Sequence, residues 1–273
     1  MNLSQELMQI RIDEAEAFVS DLISLKLKFP SLIFRGISND RERYPSLMRV
    51  NKDGNPINCV QKEHVMLENF YQKAAHLISG SGDALHFVTC AQHYGIPTRL
   101  IDWSDDPLVA LFFAVSGYNP DSEGYRLLVC DSSEQFELNQ IYYRTTWNET
   151  SIPSSAHQID QFFGFCDCIK SDEGINMIAK RANIEPCNGF ILLRPGFSNE
   201  RIRAQKGLFV IPKSNSKPKL DKEYKEAGVA ELQIPVCLRG SLRKCLSVLG
   251  ISPDLLFGDL ASIARMIKDE ALT

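Results

Sequence analysis

From Leu108 to Val115 the chain reads LVALFFAV, eight residues without a polar side chain, directly after the polar-rich stretch Thr98 to Asp106. A helix that is apolar on every side has no face to give to water, so other elements must wrap it. The polar-rich stretch before it is thereby pinned to a buried frame, and loops held on rigid elements are where sites are built. Pro107 suits the first turn of this helix, and Ser104 or Asp105 is expected to cap it.

Upstream, apolar residues at Ile10, Ile12, Ala15, Phe18, Val19, Ile23 and Leu27 follow a helical stripe that Pro30 ends. Ser31-Leu32-Ile33-Phe34 reads as a short buried strand with Gly36 as its turn, which would put Arg35 at a strand end. Residues 38–58 read as a long loop. Cys59 to Ser79 resumes a helical pattern broken by Gly80-Ser81-Gly82. Asp83 then offers an N-cap for a helix over Ala84 to Tyr94, closed by Gly95 and Pro97. Thr98 to Ile101 is expected to be short and extended. Gly124 to Cys130, Gly189 to Leu193, Gly207 to Ile211 and Val229 to Ile234 read as strands, Pro212 to Lys222 as a Lys/Ser/Pro loop, and Leu238 to Leu249 and Pro253 to Lys268 as helices. Residues 131–183 show no clear pattern. Helices come first, strands follow without regular alternation, and no Gly-rich phosphate loop is present, which predicts α+β rather than a doubly wound sheet. We expect one domain over residues 30–235, a helical segment at 1–29, and a second at 236–273 packing on the domain.

The 273 residues are 44% hydrophobic, enough for a substantial core, and their formal net charge of −4 supplies no global attraction to nucleic acid or anionic lipid. The eight cysteines are scattered, several of them in apolar runs, and no CxxC or His/Cys spacing resembles a zinc site. A reduced, cytoplasmic protein without structural metal is expected. MNLSQELMQIRIDEAEAF lacks the basic-then-apolar order of a signal peptide, and no apolar run approaches the roughly 20 residues that span a bilayer.

Three groups of residues carry chemistry. Arg35 suits bidentate recognition of a phosphate or carboxylate, with Gly36 admitting a backbone or ligand close by; it suits equally a pairing with a buried acid such as Asp102. His93, Thr98, Arg99, Asp102, Trp103 and Ser104 form the second group, in which Asp102 can orient Arg99 or Arg35 and Trp103 offers a face for a ring. Plainer roles stand beside these: a helix cap for Ser104, and a helix-end residue bonded to a carbonyl for His93. Arg201, Arg203, Gln205 and Lys206 are the third group, either a solvated edge or the wall of a groove for RNA or DNA.

Phe34-Arg35-Gly36, Pro45-Ser46-Leu47-Met48-Arg49, the block from Gln92 to Ser104, Ala110-Leu111-Phe112-Phe113-Ala114 and the run from Arg201 to Phe209 together resemble the FRG-domain family. Its layout is similar to ADP-ribosyltransferases of the Arg-Ser-Glu type, which implies a split β-sheet core with flanking helices. By that resemblance NAD is the substrate. Arg35 binds its phosphates or ribose and, with Arg99, clamps its diphosphate beside Gly36 and Thr98, a turn of Asp102, Trp103 and Ser104 holds the nicotinamide ribose, and Gln205 stands where the catalytic Glu would be. Glutamine can neither take a proton nor carry the charge that steadies an oxocarbenium-like transition state. Asp102 is therefore expected to take the acidic role, with Glu200 second and His93 a further catalytic candidate. The implied acceptor is a nucleic acid, RNA before DNA, contacted by Arg201, Arg203 and Lys206, or else a protein. The implied setting is a toxin or phage-defence effector restrained by an antitoxin-like partner. The competing reading is a non-enzymatic nucleotide- or anion-binding sensor, which Gln205 favours.

Overall fold

The computed structural model describes residues 3–49, 60–77, 84–117, 124–139, 155–182, 190–194, 200–213 and 216–257, with Ala264 and Ile267. The Gly80-Ser81-Gly82 break, the Asp83 cap and most of the expected C-terminal helix beyond Phe257 lie outside the described residues. In chain order the helices are α1 (Leu3–Leu7), α2 (Ala15–Lys28), α3 (Val60–Ala74), α4 (Ala84–His93), α5 (Pro107–Ser116), α6 (Ser155–Cys168), α7 (Asp172–Ala182), α8 (Glu200–Ala204), α9 (Lys217–Glu226), α10 (Arg239–Val248) and α11 (Pro253–Phe257). The strands are β1 (Leu32–Ile37), β2 (Ile101–Ser104), β3 (Tyr125–Asp131), β4 (Phe136–Asn139), β5 (Ile191–Arg194), β6 (Gly207–Ile211) and β7 (Ala230–Ile234). The fold is mixed α+β, as the order of patterns predicts.

Among the described residues seven strands join one sheet in the order β4-β5-β6-β2-β1-β3-β7, antiparallel throughout except for β4 on β5. One face is covered in two halves. Leu32, Phe34, Leu127, Val129 and Ile234 pack under α2, α5, α10 and α11 at one end, while Ile191, Leu193, Phe209 and Ile211 pack under α3, α4, α6 and α7 at the other. The opposite face buries Ile33, Ile37, Ile101, Trp103, Leu128, Phe190 and Val210 beneath Tyr44 and Met48 and beneath Leu220 and Tyr224 of α9. The apolar helix α5 is wrapped as it must be: seven of its residues are buried, against β1 below and α2 and α10 beside it. Among the described residues no helix is long and apolar enough to cross a membrane.

Three expectations are corrected. Arg35 lies inside the six-residue strand β1 and not at its end, because the chain stays paired with β3 as far as Ile37. The second strand begins at Ile101, three residues later than expected, since Thr98 and Arg99 spend backbone groups on Ser46, Leu47 and Glu63 instead of a neighbouring strand. Asp102, Trp103 and Ser104 thus lie on a strand and form no turn. Within the expected 212–222 loop, residues from Lys217 onward open α9: Pro218 occupies its first turn, and Leu220 and Tyr224, one turn apart, seal it to the sheet.

Candidate functional site

The two central strands are the most weakly joined. β1 meets β2 through a single register pair, Phe34↔Ser104, whereas β1 and β3 pair over six residues. At this seam a side chain replaces the ladder. Arg35 donates from Nη1 to the carbonyl oxygen of Asp102 and from Nη2 to the carbonyl oxygen of Glu42, at 2.7 Å. Arg35 is 8% exposed, and its Nε is buried with no hydrogen-bond partner. The sequence left open whether Arg35 pairs with the Asp102 carboxylate. It bonds the Asp102 backbone, so among the described residues no carboxylate neutralises this guanidinium by hydrogen bonding.

Strand alternation turns the Asp102 side chain to the helix-covered face, between its two halves, where it is exposed. Gln92, near the end of α4, donates Nε2 to Asp102 Oδ1 at 2.8 Å and accepts the Thr98 hydroxyl at 2.6 Å. Thr98 is fully buried and ties the region together: its N–H donates to Ser46 Oγ at 3.1 Å, and its carbonyl accepts from Leu47 N at 3.2 Å. Thr98 therefore fixes both the orientation of Asp102, through Gln92, and the short 3-10 turn Ser46–Met48 that delivers Arg49.

Arg49 was not singled out as a site residue by sequence, although it closes the Pro45-to-Arg49 element. Its Nε donates to the Tyr44 carbonyl at 3.2 Å. Burial holds its pKa below the usual arginine value; the nearby charge of Arg35 pushes the same way, against the pull of Glu42 and Asp102. Glu42 does not pair with either arginine by hydrogen bonding, since its Oε2 accepts from Ser38 N and Oγ at 2.7 and 3.0 Å. Two guanidinium groups and one exposed carboxylate thus share the seam.

The remaining expected ligand residues have other occupations. Arg99 is 1% exposed and sits against Glu63, itself fully buried, with Nε to Oε2 at 2.8 Å and Nη2 to Oε2 at 2.7 Å; Phe162 and Phe163 lie over its guanidinium. Trp103 is buried against Phe190, so its ring face is not offered to solvent, and its Nε1 has no hydrogen-bond partner. Ser104 Oγ donates to the Gln205 carbonyl at 2.7 Å and accepts from Asp106 N at 3.0 Å. The cap of α5 is Asp106, one residue past the expected pair, accepting from Leu108 N and Val109 N. Gly36 is required by packing: a Cβ there would stand 1.8 Å from Ala110 O and 2.5 Å from Ala114 N, so the close approach it permits is that of α5.

The third group turns toward the C-terminal segment. His93 Nδ1 lies 3.1 Å from Arg201 Nη1, and the Arg201 guanidinium stands 4.9 Å from the Phe257 ring centre. Gln205 Nε2 donates to the Leu256 carbonyl at 3.0 Å. Lys206 is exposed and pairs with Asp106 at 2.7 Å, and Arg203 and Glu200 are exposed. The three cations therefore do not line one free groove: Arg201 is engaged inward, and only Arg203 and Lys206 face water. Among the described residues no three of His, Cys, Asp or Glu converge to hold a metal.

Glu63 is a partner that a sequence reading could have found. It lies on the same face of α3 as the buried Leu67, one turn before it, and a carboxylate on a buried face demands a cation. Compared with known proteins, residues 30–123 match the family model described as the FRG domain. No curated protein and no solved structure matches the chain.

Proposed function

We propose that this chain, which carries an FRG domain over residues 30–123, binds NAD at the seam between β1 and β2 and transfers its ADP-ribose to a macromolecular acceptor. The observation that carries the reading is Arg35: a buried cation bonded, among the described residues, to two carbonyls and to no carboxylate, one of them the carbonyl of Asp102, whose own carboxylate is exposed. Leaving a buried charge without a counter-charge is costly, and an anionic ligand removes that cost. In the proposed step nicotinamide leaves with the electron pair of its glycosidic bond. A nucleophilic oxygen or nitrogen of the acceptor then bonds the anomeric carbon, and its proton passes to the Asp102 carboxylate, which Gln92 holds in place. Arg99 and Thr98 support this site from within the core. An acceptor of nucleic acid remains part of the proposal through Arg203 and Lys206, and the effector role, with a partner protein holding the activity in check, belongs to it as well.

A second reading has its own observation. Gln205 bonds Leu256 through its amide and Ser104 through its carbonyl, and it brings no acid to the third position. That favours a module which binds a nucleotide and does not turn it over.

The test is incubation with NAD labelled on the adenylate, with nicotinamide release measured and protein, RNA and DNA pools separated. Wild type is expected to release nicotinamide and label one pool, with Arg35→Lys and Asp102→Asn at background. Binding without release would select the sensor. A chain that neither binds nor cleaves NAD, with every acceptor pool present, sinks both readings.

A further inference from the structure

We infer that Arg49 is the second half of the anion site, and that Arg35, Arg49 and the Trp103 indole N–H together form one subsite for a doubly charged oxyanion, a diphosphate. The inference rests on the proposed placement of a nucleotide at the seam and names the part of it that the seam recognises. Three observations converge. Both guanidinium groups dock on carbonyls of one turn, Arg35 on Glu42 and Arg49 on Tyr44, which sets the two cations side by side. The register pair Phe34↔Ser104 places Trp103 next to Arg35 on the same face, and there Arg35 Nε and Trp103 Nε1 are both buried donors without acceptors. Among the described residues Arg49 has the Tyr44 carbonyl as its hydrogen-bond acceptor and no carboxylate paired to it.

Two like charges held together in a partly dry site repel, and unpaired buried donors are costly. A single anion with several oxygens answers both at once. Arginine suits that task because its fork presents parallel N–H groups to neighbouring oxygens, which a lysine ammonium does not. A monoanion could satisfy Arg35 alone; the second cation is what makes a dianion the better fit. The carboxylates of Asp102 and Glu42, whose charges reach Arg49, would repel an anion placed farther toward them. The diphosphate is thereby confined to the sheet face that carries Arg35 and Trp103, while the Asp102 carboxylate stands on the other face.

The experiment is calorimetric titration of the full chain with pyrophosphate, ADP-ribose and nicotinamide riboside, the last lacking any phosphate. Wild type should bind pyrophosphate and ADP-ribose. Arg49→Gln should weaken both at least tenfold, about 1.4 kcal/mol, with Arg49→Lys intermediate and the binding of nicotinamide riboside unchanged. The unfolding midpoint of each variant separates lost affinity from lost fold. Pyrophosphate binding by Arg49→Gln equal to that of wild type, or no binding by wild type, overturns the inference. The two proposals fail separately: diphosphate binding that depends on Arg49 in a chain that never cleaves NAD leaves the subsite standing without the transferase. NAD cleavage with Arg49→Gln as efficient as wild type leaves the transferase without the subsite.

Discussion

Arg99 and Arg35 are both buried arginines beside the same short strand, yet their surroundings are opposite. Arg99 meets a buried carboxylate, hydrogen-bonding it through Nε and lying 2.7 Å from it at Nη2, which makes no hydrogen bond among the described residues; it has Phe162 and Phe163 over its plane and is closed off by α3 and α6. Arg35 meets two carbonyls, keeps an unpaired Nε and has a second cation for a neighbour. A charge that the fold itself neutralises serves to hold elements together. On the proposed function, one that the fold leaves unneutralised is held for a ligand. The two sites differ by what the chain supplies opposite the guanidinium, and on that difference the functional reading depends.

The largest effect is expected where the buried cation has a buried counter-charge. Glu63→Gln leaves Arg99 as an uncompensated buried cation and should lower stability by about 3–5 kcal/mol, read from denaturant unfolding. The double variant Glu63→Leu/Arg99→Met removes both charges and should recover most of that loss, because two apolar side chains of similar size replace the pair without a desolvation cost. A Glu63→Gln chain as stable as wild type would show that the pair is not what fastens α3 to the segment leading into β2.

At the seam the cost should be smaller and the ligand effect larger. Arg35→Met removes two hydrogen bonds and leaves two carbonyls unpaired, but it also relieves the repulsion with Arg49, so the expected loss is about 1–2 kcal/mol. In the same variant the stabilisation that NAD or ADP-ribose gives to wild type should vanish from the thermal unfolding curve. Should Arg35→Met prove as damaging as Glu63→Gln while ligand stabilisation persists, Arg35 would be a structural residue like Arg99 and the contrast would collapse.

This contrast was only half legible in the sequence. The apolar run that becomes α5, the helical stripe ended by Pro30 and the strand Gly207 to Ile211 follow from hydrophobic period and turn residues, and the structure has them. Which arginine would be satisfied was not legible. Arg99 is paired by Glu63, 36 positions away, and Arg35 is set by a seam that exists because Thr98 draws its backbone toward Ser46 and away from a strand ladder. Both are long-range facts, whereas periodicity reports only local ones. The same holds for Gly36, whose need for a missing Cβ comes from α5, more than 70 residues later. Arg49 was hidden differently: it follows a short 3-10 turn with no periodic signal, so only its meeting with Arg35 gives it meaning.

The finest test of the contrast uses the thiols. Cys166 of α6 lies close to the charges of Arg99 and Glu63, yet burial pushes its pKa up to about 12 despite the pull of Arg99 toward the thiolate. Cys130, in the core beneath α9, is likewise raised to about 12 by burial, while Cys237 is exposed. Because the thiolate is the reactive form, folded protein treated with a small alkylating reagent at neutral pH should be labelled at Cys237, with Cys130 and Cys166 protected until unfolding. An unneutralised arginine beside a cysteine would do the reverse, favouring the thiolate. Glu63→Gln should therefore raise the labelling rate of Cys166 relative to Cys130, which has no such neighbour and serves as the control for general loosening. Equal increases at both cysteines would mean that the variant simply opens the core. A rise confined to Cys166 would show that Glu63 is what keeps the charge of Arg99 occupied, the partner that Arg35 lacks.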